Sequence, residues 1–170
     1  MDRDEINVLL EELADALTNR EVRGEMLIVG GAAMALVYSE RRSTADLDAV
    51  FEPKAVMYEA AAEIAVRRGL DVDWLNDAVK AYVPGPDRNA LVFFDRPGLV
   101  VRIASVRFLL AMKLLASRVE RDEDDLRVLL TLSGITSVDE ALALVTDLYP
   151  RSIVPPRAEY LVRELLDADG

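Results

Sequence analysis

The chain of 170 residues contains no cysteine and no histidine, and it has only one tryptophan. Without cysteine there are no disulfides, no thiolate nucleophile and no cysteine-based zinc site. Without histidine the usual general base, every Ser-His-Asp arrangement and the commonest transition-metal ligand are excluded. Any chemistry must therefore use Asp, Glu, Lys, Arg, Ser, Thr or Tyr, together with a hard cation such as Mg²⁺ that prefers oxygen ligands.

Long apolar runs are also lacking. No segment reaches about 18 uninterrupted apolar residues, the length that a membrane span requires. The first five residues are acidic overall and do not form the charged-then-apolar pattern of a signal peptide. A composition of 52% hydrophobic and 30% charged residues is that of an ordinary globular protein. We therefore expect a soluble, cytoplasmic protein without a membrane partner.

Positive charge is scarce, because 20 Lys and Arg residues stand against 31 Asp and Glu residues and give a formal net charge of −11. This balance argues against a protein that coats nucleic acid through bulk charge, although a local basic groove is compatible with it. An RNA substrate would require the available cations to gather on one face. The candidates are Arg41, Arg42, Arg67, Arg68, Lys80, Lys113, Arg118 and Arg121.

Hydrophobic periodicity divides the chain into a mixed part and a helical part. In the mixed part the patterns predict helices over about 3–19, 32–38 and 53–68 and strands over 25–29, 45–51, 91–94 and 99–103. The segment 71–75 is either a strand or an extended entry to the next turn. The helical part contains predicted helices over about 105–117, 122–134, 141–148 and 157–166. These patterns predict an α/β (α+β) fold with a core over 1–104 and a C-terminal helical segment over 105–170.

The last two predicted strands are joined by a loop that contains Pro97 and Gly98. Pro fixes φ and Gly supplies a positive φ, so the pair predicts a hairpin with a type II turn. We expect Trp74 to pack against this hairpin, and stacking on a base is the alternative.

The stretch from Gly30 to Asp48 is the most informative part of the sequence. Asp46 and Asp48 lie two positions apart on a predicted strand, so their carboxylates point to the same face. Two carboxylates on one face suit one or two Mg²⁺ ions that bridge phosphate oxygens. Gly30 and Gly31 lie between a strand and a helix, where backbone N–H groups favour an anionic phosphate.

Each of these features also has an ordinary structural explanation. Two glycines can simply form a turn, and an Asp-x-Asp pair can be a solvated part of an edge strand. Their order and spacing, with Arg42 and Thr44 directly before the aspartates, favour the phosphate and metal interpretation.

Together these residues resemble the nucleotidyltransferase superfamily, which has the DNA-polymerase-β-like fold. Its hallmark is a Gly-Ser or Gly-Gly turn after the first strand, a helix, and Asp-x-Asp on the next strand. More narrowly, the run from Val29 to Asp48 is similar to the AbiEii/MenT-like transferases of type IV toxin–antitoxin pairs, and the similarity extends over about residues 25–130. Gly31 departs from the pattern, because many relatives carry a Ser that touches the phosphates. That contact would fall to backbone N–H groups.

Lys113 lies off the polar stripe of its predicted helix, 120–140° from Arg107 and Arg118 at about 100° per residue. Such a lysine either snorkels to solvent or points into a cleft. The resemblance implies the second role, in which Lys113 offsets negative charge on a leaving pyrophosphate.

The resemblance also implies a third carboxylate, which ligates metal or deprotonates the attacking hydroxyl. Asp71 or Asp73 is one location, and the pair Asp122 and Asp125 is the other and is favoured because Lys113 lies one helix earlier. Asp122 could instead cap its helix, and Asp125 could pair with Arg118 or Arg121; these explanations also remain open.

The resemblance thus implies a Mg²⁺-dependent enzyme that moves a nucleoside monophosphate from an NTP to an acceptor hydroxyl. The acceptor would be a tRNA 3′ end, and the protein a toxin restrained by a separate antitoxin protein. One alternative is the same fold with a degenerate site, acting as a partner or antitoxin. A second alternative is a transferase whose acceptor is a protein or small-molecule hydroxyl.

Overall fold

The computed structural model describes residues 1–38, 43–116 and 119–168, and of residues 119–121 and 168 it describes the backbone alone. The chain forms two compact units, one of Met1–Ala81 with Arg88–Ala104 and one of Tyr82–Asp87 with the chain from Ser105 onward. The first unit contains the helices α1 (Arg3–Thr18), α2 (Gly30–Ala33, continued by a π-helical turn over Met34–Tyr38) and α3 (Lys54–Arg68), and the strands β1 (Gly24–Ile28), β2 (Leu47–Glu52), β3 (Leu75–Asn76), β4 (Leu91–Arg96) and β5 (Leu99–Ile103). The second contains α4 (Val106–Ala116), α5 (Val119–Ser133), α6 (Val138–Leu148) and α7 (Pro156–Ala168).

The five strands form one mixed sheet in the order β3-β2-β1-β5-β4. The central strand β1 runs antiparallel to β2 and parallel to β5, while β3 is parallel to β2 and β4 is antiparallel to β5. Helices α1 and α3 pack against each other, and they contact β5 and β2 respectively. The α/β fold with a mixed sheet flanked by helices and a helical C-terminal part is confirmed.

Local sequence signals explain the ends of the long helices. The Asp2 side chain accepts a hydrogen bond from Glu5 N at 2.9 Å, and Glu5 accepts one from Asp2 N at 2.8 Å, which is a capping box at the start of α1. Helix α3 ends at Gly69, whose φ of 67° is the left-handed conformation that a glycine adopts readily. The alternating pattern of β2 places Leu47, Ala49 and Phe51 in the core.

Several predicted boundaries differ from the structure. Helix α2 begins at Gly30, so the two glycines form its first turn instead of preceding it. Strand β2 begins at Leu47, which leaves Asp46 in the bend before the strand. In the ambiguous segment 71–75 only Leu75 belongs to a strand, and β3 contains just Leu75 and Asn76.

The predicted hairpin is confirmed, but the type II turn is wrong. Strands β4 and β5 pair with Arg96 opposite Leu99, so Pro97 and Gly98 form the loop. A type II turn needs a positive φ at its third position, and Gly98 is not among the positive-φ glycines. Gly98 serves another purpose, because a Cβ on it would lie 2.2 Å from Ala14 O of α1. The absence of a side chain therefore lets α1 approach the hairpin.

The packing predicted for Trp74 is also wrong. Trp74 is buried, and its indole Nε1 donates a hydrogen bond to Ala61 O of α3 at 2.9 Å. It directly precedes β3, which lies at the sheet edge opposite β4 of the hairpin. The single tryptophan therefore anchors the β3 edge to a helix.

In the second unit α4 contacts α5 and α6, and α6 contacts α7. Helix α6 begins at Val138, earlier than the helix predicted over 141–148. Ser137 Oγ caps it by accepting from Glu140 N at 3.3 Å, and the Glu140 carboxylate accepts from Thr136 N. Within the described ranges no single helix is long and apolar enough to cross a membrane; α5 from Asp122 and α6 reach the length only as a pair bent by 95°.

Candidate functional site

The turn between β1 and α2 lies directly beside Asp48. Val29 N donates to Asp48 O at 3.0 Å, which fixes the turn to β2. Gly30 has a φ of 62°, and a Cβ at this position would lie 3.3 Å from Asp48 Oδ2. A side chain here would be strained and would crowd the carboxylate. Glycine at position 30 thus brings the backbone of the turn next to an acidic side chain.

Thr44 lies beside the second glycine of the same turn. A Cβ on Gly31 would lie 3.1 Å from Thr44 Oγ1, so the hydroxyl lies next to the place that a side chain at position 31 would occupy. Thr44 Oγ1 donates to Asp46 O at 2.9 Å, and Thr44 N donates to Met1 O at 2.9 Å. The segment that carries the first aspartate is therefore held by its own threonine and by the residue that precedes α1.

The structure brings Gly30, Gly31, Thr44 and Asp48 together, and Asp46 follows in the bend beside them. Asp46 is exposed and Asp48 is half-buried. The residue paired with Asp48 on β3 is Asn76, whose Nδ2 lies 3.5 Å from Asp46 Oδ2. Sequence reasoning missed Asn76, because nothing in the local pattern shows that a strand of two residues lies against β2.

These residues fit a divalent cation of the Mg²⁺ type. Among residues 1–38, 43–116 and 119–168 no group of three or more Asp or Glu side chains is close enough to hold a metal on its own. Mg²⁺ is usually bound by one or two carboxylates together with waters and substrate phosphates, so Asp46 and Asp48 supply a suitable donor set. Because Gly30 has no side chain, nothing from residue 30 crowds the Asp48 carboxylate.

The two candidates for a third carboxylate on the first unit, Asp71 and Asp73, do not lie on β3 opposite Asp48, where Asn76 lies. Asp71 and Asp73 are exposed in the loop before β3, where Asp71 Oδ1 accepts from Asp73 N at 3.0 Å. Arg42, predicted to contact phosphate, and its neighbour Arg41 fall outside the described residues.

The other predicted residues form an ion cluster between α4 and α5 of the second unit. Lys113 Nζ lies 2.6 Å from Asp122 Oδ1 and 2.8 Å from Asp125 Oδ2. The side chains of Lys113, Asp122 and Asp125 are 11%, 13% and 4% exposed. Lys113 therefore points into the packed interior of its unit, away from bulk solvent.

This cluster tests two of the alternatives that the sequence left open, the capping role of Asp122 and the snorkelling of Lys113, while a pairing of Asp125 with Arg118 or Arg121 stays a prediction. Helix α5 begins at Val119, so Asp122 lies in its first turn and does not cap it. Asp125 pairs with Lys113, while Arg118 and the side chain of Arg121 are outside the described part of the chain. The snorkelling explanation for Lys113 is wrong, because two carboxylates hold its ammonium group.

A second polar network lies directly after Asn76. Lys54 Nζ is 2.5 Å from Asp77 Oδ2, and Tyr58 OH donates to Asp77 Oδ1 at 2.7 Å. The Lys54 ammonium group, followed by the Tyr58 hydroxyl, lowers the pKa of the Asp77 carboxyl. Burial and the bond to Asp77 raise the pKa of Tyr58. Because Lys54 and Tyr58 both belong to α3, this network fixes the segment after β3 to that helix.

The described members of the proposed basic face are already paired with carboxylates. Arg67 and Arg68 both bind Glu12 of α1, and the Arg68 contact is the main cause that lowers the pKa of Glu12. Lys80 Nζ lies 3.2 Å from Glu52. These cations, with Lys113, offer little unneutralised charge to a polyanion.

A glycine turn after β1, a hydroxyl beside it, and one aspartate directly before β2 and another within it, on a mixed sheet, define a protein of the nucleotidyltransferase type. The chain belongs to the family described as nucleotidyltransferase of unknown function (DUF6036), whose model matches residues 6–149. Neither a curated protein nor a solved structure matches the chain.

Proposed function

We propose that the protein transfers a nucleoside monophosphate from an NTP to an acceptor hydroxyl in a Mg²⁺-dependent reaction. The acceptor oxygen forms a bond to the α-phosphorus, the bond from that phosphorus to the bridging oxygen breaks, and pyrophosphate leaves with its electron pair. The hydroxyl proton passes to a carboxylate or to water. The observation that carries the proposal is the Asp48 carboxylate directly beside the glycine turn at Gly30.

The residues of the first unit would bind the metal ion and the phosphates. Asp46 and Asp48 would hold the Mg²⁺ ion, which offsets phosphate charge when bound. Backbone N–H groups of Gly30 and Gly31 would contact the phosphates, with Arg42 beside them. Thr44 Oγ1 would supply the hydroxyl that Gly31 lacks, because it lies next to the position of a side chain at residue 31.

The roles proposed for the ion cluster come from the resemblance. Lys113 would stabilise the leaving pyrophosphate, and Asp122 or Asp125 would act as the third carboxylate. In the structure the Lys113 ammonium group is held by both aspartates. To contact a pyrophosphate it would have to exchange one of these partners for a phosphate oxygen.

The acceptor suggested by the resemblance is a tRNA 3′ end, in an AbiEii/MenT-like toxin restrained by an antitoxin in the cytoplasm. Because the described cations Arg67, Arg68 and Lys80 are paired, RNA contacts would depend on four other arginines. These are Arg41, Arg42, Arg118 and Arg121. A protein or small-molecule hydroxyl is the competing acceptor, and it requires no basic face.

The direct test incubates purified protein with Mg²⁺, each α-labelled NTP and total tRNA, a protein extract or small hydroxyl acceptors in parallel. We expect label on one acceptor with wild type and none with Asp48→Asn, which keeps the size of the side chain. Calorimetry with each NTP measures binding independently of the acceptor. Absence of both labelling and NTP binding would contradict the proposal.

A residue exchange tests the role of Thr44. Thr44→Ala should weaken NTP binding because the hydroxyl is lost. Gly31→Ser alone should crowd Thr44, since the added Cβ would lie 3.1 Å from Thr44 Oγ1. The double variant Gly31→Ser, Thr44→Ala relieves that contact and restores a hydroxyl at the turn. Binding in the double variant should therefore exceed that of either single variant.

A degenerate site in a non-catalytic partner or antitoxin is the second candidate, and one observation favours it. The charge of Lys113 is already balanced by two aspartates within its own unit. Expression in a host cell distinguishes the two. A toxin should arrest growth when produced alone, and Asp46→Ala should relieve the arrest, whereas an inert partner would show neither effect.

A further inference from the structure

Asn76 lies beside the aspartate pair of the proposed metal site. It is the register partner of Asp48 in the parallel pairing of β2 and β3. Its Nδ2 lies 3.5 Å from Asp46 Oδ2, at the long end of hydrogen-bond distance. One half-buried amide thus adjoins both aspartates, Asp48 through its strand and Asp46 through its side chain.

The orientation of this amide is set by the backbone. Asn76 Oδ1 accepts a hydrogen bond from Ala78 N at 3.2 Å, so the oxygen is directed to the following turn. The NH₂ group is then the part that faces Asp46. Asn76 in this orientation donates a proton to a carboxylate and does not offer an oxygen to a cation.

The segment that carries Asn76 is held on both sides by α3. Before it, Trp74 Nε1 donates to Ala61 O at 2.9 Å, and Leu47 N donates to Trp74 O at 2.7 Å. After it, Asp77 binds Lys54 and Tyr58, as described above. A short strand with a fixed residue on either side has little freedom to move, so the distance from Asn76 to Asp46 is set by the fold.

We propose that Asn76 is a positioning residue that holds the Asp46 carboxylate toward the cation while adding no negative charge. This inference rests on the proposed function, because it concerns the same Asp46 and Asp48 site. A site with two carboxylates and a neutral neighbour binds a divalent cation weakly by itself, since affinity rises with the number of charged ligands. The cation therefore binds firmly only together with the phosphates of the nucleotide.

The test measures Mn²⁺ binding without nucleotide, by the decrease in the free Mn²⁺ signal in electron paramagnetic resonance. Asn76→Asp keeps the shape of the side chain and the acceptor for Ala78 N, but it replaces the donor by a carboxylate. We expect it to tighten Mn²⁺ binding by about tenfold or more, because a third charged ligand joins the site. Asn19→Asp is the matched control because it makes the same chemical change far from the site. Asn19 precedes the start of β1, whereas Asp46 lies beside the end of that strand. We expect Asn19→Asp to leave the Mn²⁺ affinity unchanged.

Coupling to Asp46 separates positioning from a general charge effect. In the Asp46→Asn background Asn76→Asp should bring the Mn²⁺ affinity back toward the wild-type value, because the site again has two carboxylates. Asn76→Ala, which loses the donor without adding charge, should weaken MgATP binding in the wild-type background and have no effect in the Asp46→Asn background. This second variant also decides the question if Asn76→Asp fails to fold.

Failure of this inference is distinguishable from failure of the proposed function. If wild type binds MgATP and Asp48→Asn abolishes that binding, the proposed site stands. An Mn²⁺ affinity changed less than twofold by Asn76→Asp, or an equal effect of Asn76→Ala on MgATP binding with and without Asp46, would then overturn the role of Asn76 alone. If neither wild type nor Asn76→Asp binds Mn²⁺ or any NTP with Mg²⁺, both proposals are wrong.

Discussion

Replacing Lys113 by methionine is expected to destabilise the second unit strongly. Lys113 Nζ lies 2.6 and 2.8 Å from the carboxylates of Asp122 and Asp125, and all three side chains are largely buried. At an effective dielectric constant of about 20, each contact contributes about 6 kcal/mol of Coulomb attraction, much of which offsets the cost of desolvation. Removing one partner of a buried pair typically costs about 3–5 kcal/mol, because an unpaired charge is left inside.

The assay is urea denaturation followed by circular dichroism for four variants. Lys113→Met should lower the free energy of unfolding by about 3–5 kcal/mol. The triple variant, which adds Asp122→Asn and Asp125→Asn, should recover most of that loss, because no buried charge remains. Lys80→Met is the matched control: its partner Glu52 is exposed, and such a pair contributes about 1 kcal/mol or less. Asp125→Asn alone should be intermediate.

A loss below about 1 kcal/mol in Lys113→Met, similar to an exposed pair, would refute this reasoning. A triple variant as unstable as the single variant would refute it as well. The recovered triple variant also reports on chemistry. If it is stable but transfers no nucleotide, the ion cluster acts in the reaction; if it keeps activity, the ion cluster is structural.

Further substitutions test other parts of the first unit. Gly98→Ala should cost about 1–3 kcal/mol or more in urea denaturation, because its Cβ would lie 2.2 Å from a carbonyl oxygen of α1. Gly30→Ala should abolish NTP binding measured by calorimetry, since it strains a φ of 62° and places a methyl group 3.3 Å from Asp48 Oδ2; unchanged affinity would contradict the site. Asp77→Asn should destabilise the protein at neutral pH, because Lys54 loses its partner. Because the folded protein lowers the pKa of Asp77, the ionised carboxylate stabilises the fold at pH values above the ordinary carboxyl pKa of about 4. This stabilisation is lost as the pH falls through the lowered pKa. The free energies of unfolding of wild type and variant should therefore converge in acid.

The parts of the fold that sequence reasoning predicted are those determined by neighbours along the chain. The helices predicted over 3–19 and 53–68 and the strand predicted over 45–51 each depend on residues a few positions apart. The same logic placed Lys113 off the polar stripe of its helix. Its two aspartate partners lie on the next helix, and periodicity within one helix does not show how two helices meet.

The features that the sequence did not reveal depend on contacts across the fold. Gly98 looks like a turn glycine, yet its role is set by Ala14 O on α1. Trp74 looks like a partner for the nearest apolar hairpin, but the strand order places that hairpin at the other edge. For the same reason Asn76 is inconspicuous in the sequence, since its importance comes from the pairing of β3 with β2.

The strand order has a consequence for how the protein is made. The central strand β1 is synthesised early, and its first neighbour, β2, follows soon after it. The neighbour on its other side is β5, which pairs Met26 with Val101. During translation one edge of β1 therefore stays unpaired until β5 has been synthesised. Contacts between residues so far apart in the sequence also form slowly. An exposed β1 edge is a target for chaperones or for another nascent chain, so slow translation before residue 99 should increase aggregation.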